Sequence, residues 1–393
     1  MKKQLVMISC LIGLLCIPSP AFAIRILVTL GNRVQEIDTE TRSVDWEYVD
    51  PEVLRLDSAD RLPNGNTLIS KERKVFEVNK QGEIIWERAV EKEVDFVNYF
   101  FDAQRLANGD TLTSGQRFPS FDPEGRSVGV VWQYNLAGQL VWTYSSTLAF
   151  GFGEADRLLN GNTLLSSEGV RAIMEIDPNR NIVWSYNDNN HLAVSLDADR
   201  LPNGNTLICA VDNDSVSRVR EVAPSGATVW EYAKAGVASP DADRLPNGNT
   251  FIAETSAFMN PPDGRIFLLN PANETLWQYM APYPPWDLDT IAPANLAASA
   301  GSGKIVLDWD DYNVGGKTTY NVYRSTVRGG PYTFLSSIIE STYSDTTVKS
   351  GIRYYYVVTA ASDPGLESGY SNEATALLRS SGGGGGIRKI SAE

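Results

Sequence analysis

The chain has one histidine, His191, in 393 residues. A single imidazole excludes histidine-based zinc clusters, and no G-x-S-x-G elbow accompanies it to support a Ser-His-Asp site. Cysteine is nearly as scarce. Cys10 and Cys16 lie at the very start, which leaves Cys209 without an intrachain partner. Cys209 follows Thr206-Leu207-Ile208 in an apolar strand pattern and is read as a small buried hydrophobe rather than a reactive thiol. Positive charge is also deficient: 34 Lys and Arg face 48 Asp and Glu, for a net charge of −14. Such a surface repels phosphate backbones and anionic lipid heads, so nucleic acid is excluded as a partner. After the first residues no apolar run is long enough for a transmembrane span.

Residues 1–23 have the pattern of a secretory signal peptide. Lys2 and Lys3 precede the apolar run Leu5–Ile17, and Ala21-Phe22-Ala23 is an A-x-A cleavage site. A lipoprotein anchor at Cys10 or Cys16 is the weaker alternative, because Leu14-Leu15 stand before Cys16 where a small residue is wanted. The chain is expected to be exported, to the periplasm or to the cell surface and beyond.

What is abundant is repetition. SADRLPNGNTLI (58–69), DAQRLANGDTLT (102–113), EADRLLNGNTLL (154–165), DADRLPNGNTLI (197–208) and DADRLPNGNTFI (241–252) are five copies of one phrase. Their glycines, Gly65, Gly109, Gly161, Gly204 and Gly248, are spaced by 44, 52, 43 and 44 residues. That period is the length of one four-stranded propeller blade. Each copy reads as strand, tight turn, strand, with Asn-Gly signalling a type I′ hairpin.

A second phrase follows each first one, for example IMEIDPNRNIVWSY (173–186). It recurs six times and ends each time near a tryptophan: Trp46, Trp86, Trp142, Trp184, Trp230 and Trp277. Six tryptophans mark six blades, each indole docking one blade on the next. The expected fold is therefore all-β, with a six-bladed β-propeller over 24–289. The first blade starts with ILVTL at Ile24 and lacks an innermost strand. The segment from about Pro282 to Asp289 is expected to supply it, because a closed ring leaves no open edge. Blade three is long, with 56 residues between Trp86 and Trp142 against 40–47 elsewhere. The excess falls in SGQRFPSFDPEGRSVG (114–129), read as a recognition loop carrying Arg117, Phe118 and Phe121, with a functionless insert as the alternative.

From Ile291 the pattern changes to alternating strands at sandwich spacing, including KIVLDWDD (304–311), TYNVYRST (319–326) and GIRYYYVVTAAS (351–362). Residues 291–378 resemble a bacterial fibronectin type III domain. The resemblance implies Trp309 as the core tryptophan and Tyr354 as the tyrosine-corner residue. Residues 379–393, with Gly382 to Gly386, read as a flexible tail.

The D-A-x-R-L-x-N-G-N-T-L phrase resembles the repeats of secreted arylsulfotransferase-like propellers. The resemblance implies a histidine directly before the Asp-Ala of certain repeats, facing the central funnel. The matching positions here are Asp57, Phe101, Gly153, Leu196 and Pro240. None is histidine, so the resemblance argues for the fold and against the reaction. His191 lies five residues before Leu196 in what reads as a connecting loop. Quinone-cofactor propellers share the tryptophan-docking strand, but nothing here marks such a cofactor site.

The repeated acids on the innermost strands are Asp60, Asp102, Glu154, Asp156, Asp197, Asp199, Asp241 and Asp243. The arginines that follow them are Arg61, Arg105, Arg157, Arg200 and Arg244. The expectation is an Asp–Arg ladder locking adjacent blades. The alternative is that the three carboxylates in excess at the channel mouth bind Ca²⁺ through oxygen ligands; no other cofactor is expected.

Together these readings describe an exported, acidic, non-catalytic binding or scaffold protein, monomeric, with a protein, glycan or small-molecule ligand. The alternatives are an arylsulfotransferase-related enzyme with altered chemistry and a Ca²⁺-dependent surface adhesin.

Overall fold

The computed structural model describes residues 24–89, 96–119, 127–147, 151–167, 171–188, 192–256, 264–310, 319–362 and 366–379. The signal-peptide reading, His191, Phe121 and the glycine run lie outside these residues. Among the described residues, thirty-two strands form eight antiparallel sheets.

Blade 1 begins with β1 (Arg25–Leu30), β2 (Arg33–Asp38) and β3 (Val44–Val49). Blade 2 is β4 (Ser58–Arg61), β5 (Thr67–Lys71), β6 (Lys74–Val78) and β7 (Ile84–Ala89). Blade 3 is β8 (Phe96–Arg105), β9 (Thr111–Pro119), β10 (Val128–Tyr134) and β11 (Leu140–Ser146). Blade 4 is β12 (Phe152–Arg157), β13 (Thr163–Ser167), β14 (Ala172–Ile176) and β15 (Ile182–Tyr186). Blade 5 is β16 (Leu192–Arg200), β17 (Thr206–Asp212), β18 (Val216–Val222) and β19 (Thr228–Ala235). Blade 6 is β20 (Val237–Arg244), β21 (Thr250–Ser256), β22 (Gly264–Leu269) and β23 (Thr275–Ala281). The next strand, β24 (Pro285–Thr290), pairs antiparallel with β1 and completes blade 1 from the inside. The propeller has six blades, and both ends of its sequence share one of them.

The cores lie between blades rather than within them. Each neighbouring pair shares a cluster anchored by one tryptophan, such as Trp184 with Leu164, Ile173, Ala198 and Ile208 between blades 4 and 5. The alanine of the repeated phrase is buried in five of these clusters. Its small side chain lets the innermost strand lie close to the preceding blade. Most indole N–H groups also reach the next blade, as Trp230 Nε1 donates to the Pro271 carbonyl at 3.2 Å.

The repeated turn is not type I′. Gly65 N–H donates to the Leu62 carbonyl at 2.9 Å, and Leu62 N–H to the Asn66 carbonyl at 2.9 Å. Gly65 alone takes the left-handed region, at φ 83°, and Asn64 is absent from the positive-φ residues. Type I′ needs positive φ at both central positions, and the proline ring at Pro63 forbids it. The turn closes over Pro63 and Asn64, and glycine then forms the bulge.

Within the 114–129 segment, the described residues 114–119 and 128–129 are strand. Residues 114–119 extend β9 against β8, and β10 starts at Val128. Gly115 is required there because a Cβ would lie 1.9 Å from the Tyr99 carbonyl oxygen. The glycine serves a close strand approach, not a loop.

After the ring comes the fibronectin type III sandwich: β25 (Ala297–Gly301), β26 (Lys304–Asp308), β27 (Thr319–Ser325), β28 (Thr333–Ile338), β29 (Thr342–Asp345), β30 (Arg353–Ser362), β31 (Leu366–Glu367) and β32 (Ala374–Leu377). Sheet β25-β26-β29 packs on the sheet of β28, β27, β30, β31 and β32. Trp309 lies edge-on to Tyr320 at 5.3 Å in the core. Lys349 N–H donates to the Tyr354 hydroxyl at 3.1 Å, which is the tyrosine-corner bond.

Candidate functional site

The innermost strands of the six blades, β24, β4, β8, β12, β16 and β20, contact one another around the axis. They enclose a cavity of about 160 Å³. Seven of the eight acids expected at the hub line it: Asp60, Asp102, Glu154, Asp156, Asp199, Asp241 and Asp243. Asp197, the eighth, is buried against Glu154. Two further lining acids, Asp287 and Asp289, were missed in the sequence. They belong to PWDLDT, the copy without an Asn-Gly turn, and their D-x-D spacing was the available signal.

The hub acids hold the ring together by accepting backbone amides of the next blade. Ala198 N–H donates to Glu154 Oε2 at 2.8 Å, Ala59 N–H to Asp287 Oδ2 at 2.8 Å and Ala155 N–H to Asp102 Oδ2 at 3.3 Å. Leu288 N–H donates to Asp241, and Thr290 N–H to Asp243 Oδ2 at 3.0 Å. Burial, then neighbouring carboxylates, pushes Asp60, Glu154, Asp199, Asp243 and Asp287 well above the usual carboxylate range. Asp156 and Asp289 are pushed up to about 7, and Asp241 to about 6.

The expected Asp–Arg ladder does not form. In a strand, neighbours such as Asp199 and Arg200 project to opposite faces. The acids face the axis and the next blade, while the arginines face the preceding one. Arg61 pairs with Glu36 at 2.6 Å, Arg105 with Glu77 at 2.9 Å, Arg200 with Glu175 at 2.7 Å and Arg244 with Glu221 at 3.2 Å. Arg157 donates to the neutral Gln133 Oε1 at 3.1 Å. Each guanidinium also stacks on the preceding blade's tryptophan, at 4.8 Å for Arg61 on Trp46, 4.4 Å for Arg105 on Trp86, 4.6 Å for Arg157 on Trp142, 4.7 Å for Arg200 on Trp184 and 4.3 Å for Arg244 on Trp230. Each also donates to the carbonyl of its own turn glycine, as Arg200 does to Gly204 at 3.2 Å. The lock is therefore Glu–Arg–Trp.

The sixth junction breaks this rule at both ionic positions. Leu268 stands for the glutamate and Thr290 for the arginine. Trp277 there is only 9% exposed, and the sandwich residue Leu366 packs against its cluster. Asn295 Nδ2 adds a bond to the Pro63 carbonyl at 3.1 Å. The sandwich thus rests on the face that carries the Asn-Gly turns. Two clefts of about 560 and 570 Å³ flank it, and Tyr370 lines both.

Of the expected recognition residues, Arg117 and Phe118 stand on β9, where Phe118 lies edge-on to Tyr99 at 5.8 Å. Cys209 is free and buried in the cluster between blades 5 and 6. At Gly153, one of the five positions before the Asp-Ala phrase, a Cβ would lie 2.8 Å from both the Leu196 oxygen and Ser166 Oγ. Histidine cannot replace it without rearrangement.

No family model matches the chain. An amylopullulanase of Thermoanaerobacterium thermosulfurigenes is 42% identical over 86 residues, and one of Thermoanaerobacter thermohydrosulfuricus is 45% identical over 83. These matches span 22% and 21% of this chain but only 4% and 6% of the relatives. A solved Bacteroides caccae protein of unknown function matches with TM-score 0.54 at 15% identity, covering 69% of this chain and 99% of that one. It shares the fold. An Fn3-like protein of Clostridium thermocellum is 41% identical over 22% of this chain and 88% of its own, with TM-score 0.20. Among the described residues no helix is long and apolar enough to cross a membrane.

Proposed function

We propose that the chain is an exported, non-catalytic binding module that associates with carbohydrate. The observation that carries the reading is the Glu–Arg–Trp lock between blades: every repeated arginine is held by a carboxylate or amide partner and an indole. Arginines so engaged serve the frame and leave ligand contact to other surfaces. The amylopullulanase matches, whose name refers to starch and pullulan, support a glucan as the ligand class. The cleft of about 570 Å³ offers it Tyr332 and Tyr370 beside Arg328 and Glu373. Aromatic rings beside charged hydrogen-bonding groups suit the apolar faces and hydroxyls of a sugar.

The test is retention of the mature chain on immobilised amylopectin and pullulan, with Tyr370→Ala as the cleft variant. The reading predicts retention that weakens tenfold or more in the variant. Passage of the wild-type chain through both matrices overturns it.

The repeated D-A-x-R-L-x-N-G phrase favours one second reading, an enzyme of arylsulfotransferase ancestry. An aryl sulfate assay separates the two: sustained turnover supports the enzyme, and none supports the binding module.

A further inference from the structure

The five other innermost strands each continue by a tight turn into the next strand of their own sheet, but β24 pairs with β1 from the far end of the propeller sequence. It is the strand whose departure opens the ring. Its Leu288 and Thr290 amides bond Asp241 and Asp243 of blade 6, and Ile291 N–H extends the pairing to the Arg25 carbonyl at 3.0 Å. Residues 291–296 then lead directly into β25 of the sandwich. A terminal strand frays unless something ties it down.

One short stretch of the sandwich, 369–373, joins this strand to the opposite side of the ring. Gly369 N–H donates to Thr290 Oγ1 at 2.9 Å, at the end of β24. Asn372 exchanges two bonds of 2.9 Å with the Leu296 backbone, which fixes the linker. Glu373 Oε2 accepts Gly329 N–H at 2.8 Å and the Tyr332 hydroxyl at 2.6 Å, which fixes the turn 327–332. That turn reaches across to blades 4 and 5. A Cβ on Gly329 would lie 3.3 Å from Leu159, and one on Gly330 3.0 Å from Pro202. Blade 4 stands opposite blade 1 in the ring. Between these anchors Tyr370 lines three clefts, one against blades 1 and 2, one against blades 4 and 5 and one against blades 5 and 6. It therefore stands over the axis, and the sandwich spans the ring from the seam to the far side.

We infer that the sandwich is a clasp on the ring. β24 leaves β1 only by dragging the linker and the 369–373 stretch, and these are held on blades 4 and 5 by the turn 327–332. Fraying of one strand thus becomes a release that breaks contacts on both sides of the axis. The clasp goes beyond the carbohydrate reading and is independent of it.

The test is hydrogen exchange on the full mature chain, read at the Leu288, Thr290 and Gly369 amides, in Pro202→Trp. Gly330 lies too close to Pro202 to leave room for an indole, so this variant lifts the turn 327–332 off blade 5. The ring's own turn does not need proline, since Ala107 and Leu159 hold that position in blades 3 and 4. The expected result is exchange about tenfold faster or more at all three amides, with the Leu165 amide of blade 4 unchanged. Glu373→Ala frees the same turn from inside the sandwich and should act alike. Ala107→Trp, in the blade 3 turn that lines none of the three clefts, should leave every amide within about twofold of wild type. Faster exchange at Gly369 with Leu288 and Thr290 unchanged overturns the clasp, because the sandwich is then released without loosening β24. Unchanged exchange at all three amides in both Pro202→Trp and Glu373→Ala also overturns it, because the turn over blades 4 and 5 then holds nothing.

Discussion

The Gly369 amide of the sandwich donates to Thr290 Oγ1 of the ring at 2.9 Å. Thr290 stands where five other junctions carry arginine, and Leu268 stands where they carry glutamate or glutamine. The loss of both ionic partners makes room for the sandwich. A Cβ on Gly369 would lie 2.7 Å from that same oxygen. Gly369→Ala should therefore loosen the sandwich while each part stays folded. Calorimetric melting should show two separated transitions in the variant and closer ones in the wild type. Identical traces would mean that the contact does not couple the two parts.

The locks differ in charge, and so should their cost of removal. Arg200→Ala leaves the buried Glu175 without its cation, which costs about 3–5 kcal/mol when a buried pair is broken from one side. Arg157→Ala removes a guanidinium from the neutral Gln133 and should cost distinctly less, about 1–3 kcal/mol. Urea unfolding measures both. Equal costs would mean that the indole stacking, not the ion pair, carries the lock.

Cys209 is buried, and burial pushes its thiol well above the usual range. A disulfide reagent should label no thiol in the folded mature chain and one after unfolding. Rapid labelling of the folded chain would show that the interface between blades 5 and 6 opens.

Hub titration gives a pH dependence. Asp289 is pushed up to about 7 from an ordinary value of 3.8, by burial above all and by the Asp241 carboxylate, against the Arg61 amide that bonds it. Between about pH 4 and 7 the folded state binds more protons than the unfolded one, so stability falls as pH rises. The contribution is fully present below pH 4 and lost by the time pH passes 7. Metal-free melting curves should show Tm declining across that window, and Asp289→Asn should flatten the decline. A Tm that rises from pH 4 to 7 in both proteins would contradict it.

The blades were legible because the same phrase recurs at one spacing, which pins strand order and register in every sheet. The closing strand was legible from an absence, since ILVTL had no inner neighbour. The arginine partners were not legible. Arg200 is adjacent to Asp199 in sequence, but its partner Glu175 lies on another blade's third strand, and only face parity reveals it. Their signal was a coincidence across phrases: glutamate or glutamine precedes five of the locks, and Leu268 accompanies Thr290. Composition misled at residues 114–119, the described start of the 114–129 segment. Pro, Gly and Ser suggested a loop, yet Gly115 is there for a strand that passes too close to Tyr99 for any side chain.

Everything placed at the hub depends on β24 closing the ring onto β1. Equilibrium urea unfolding of fragment 24–290 against fragment 24–283 tests that closure most directly. Closure by β24 predicts one cooperative transition for 24–290 and its loss, or a midpoint lowered by more than a third, for 24–283. The same midpoint and slope in both fragments would contradict it.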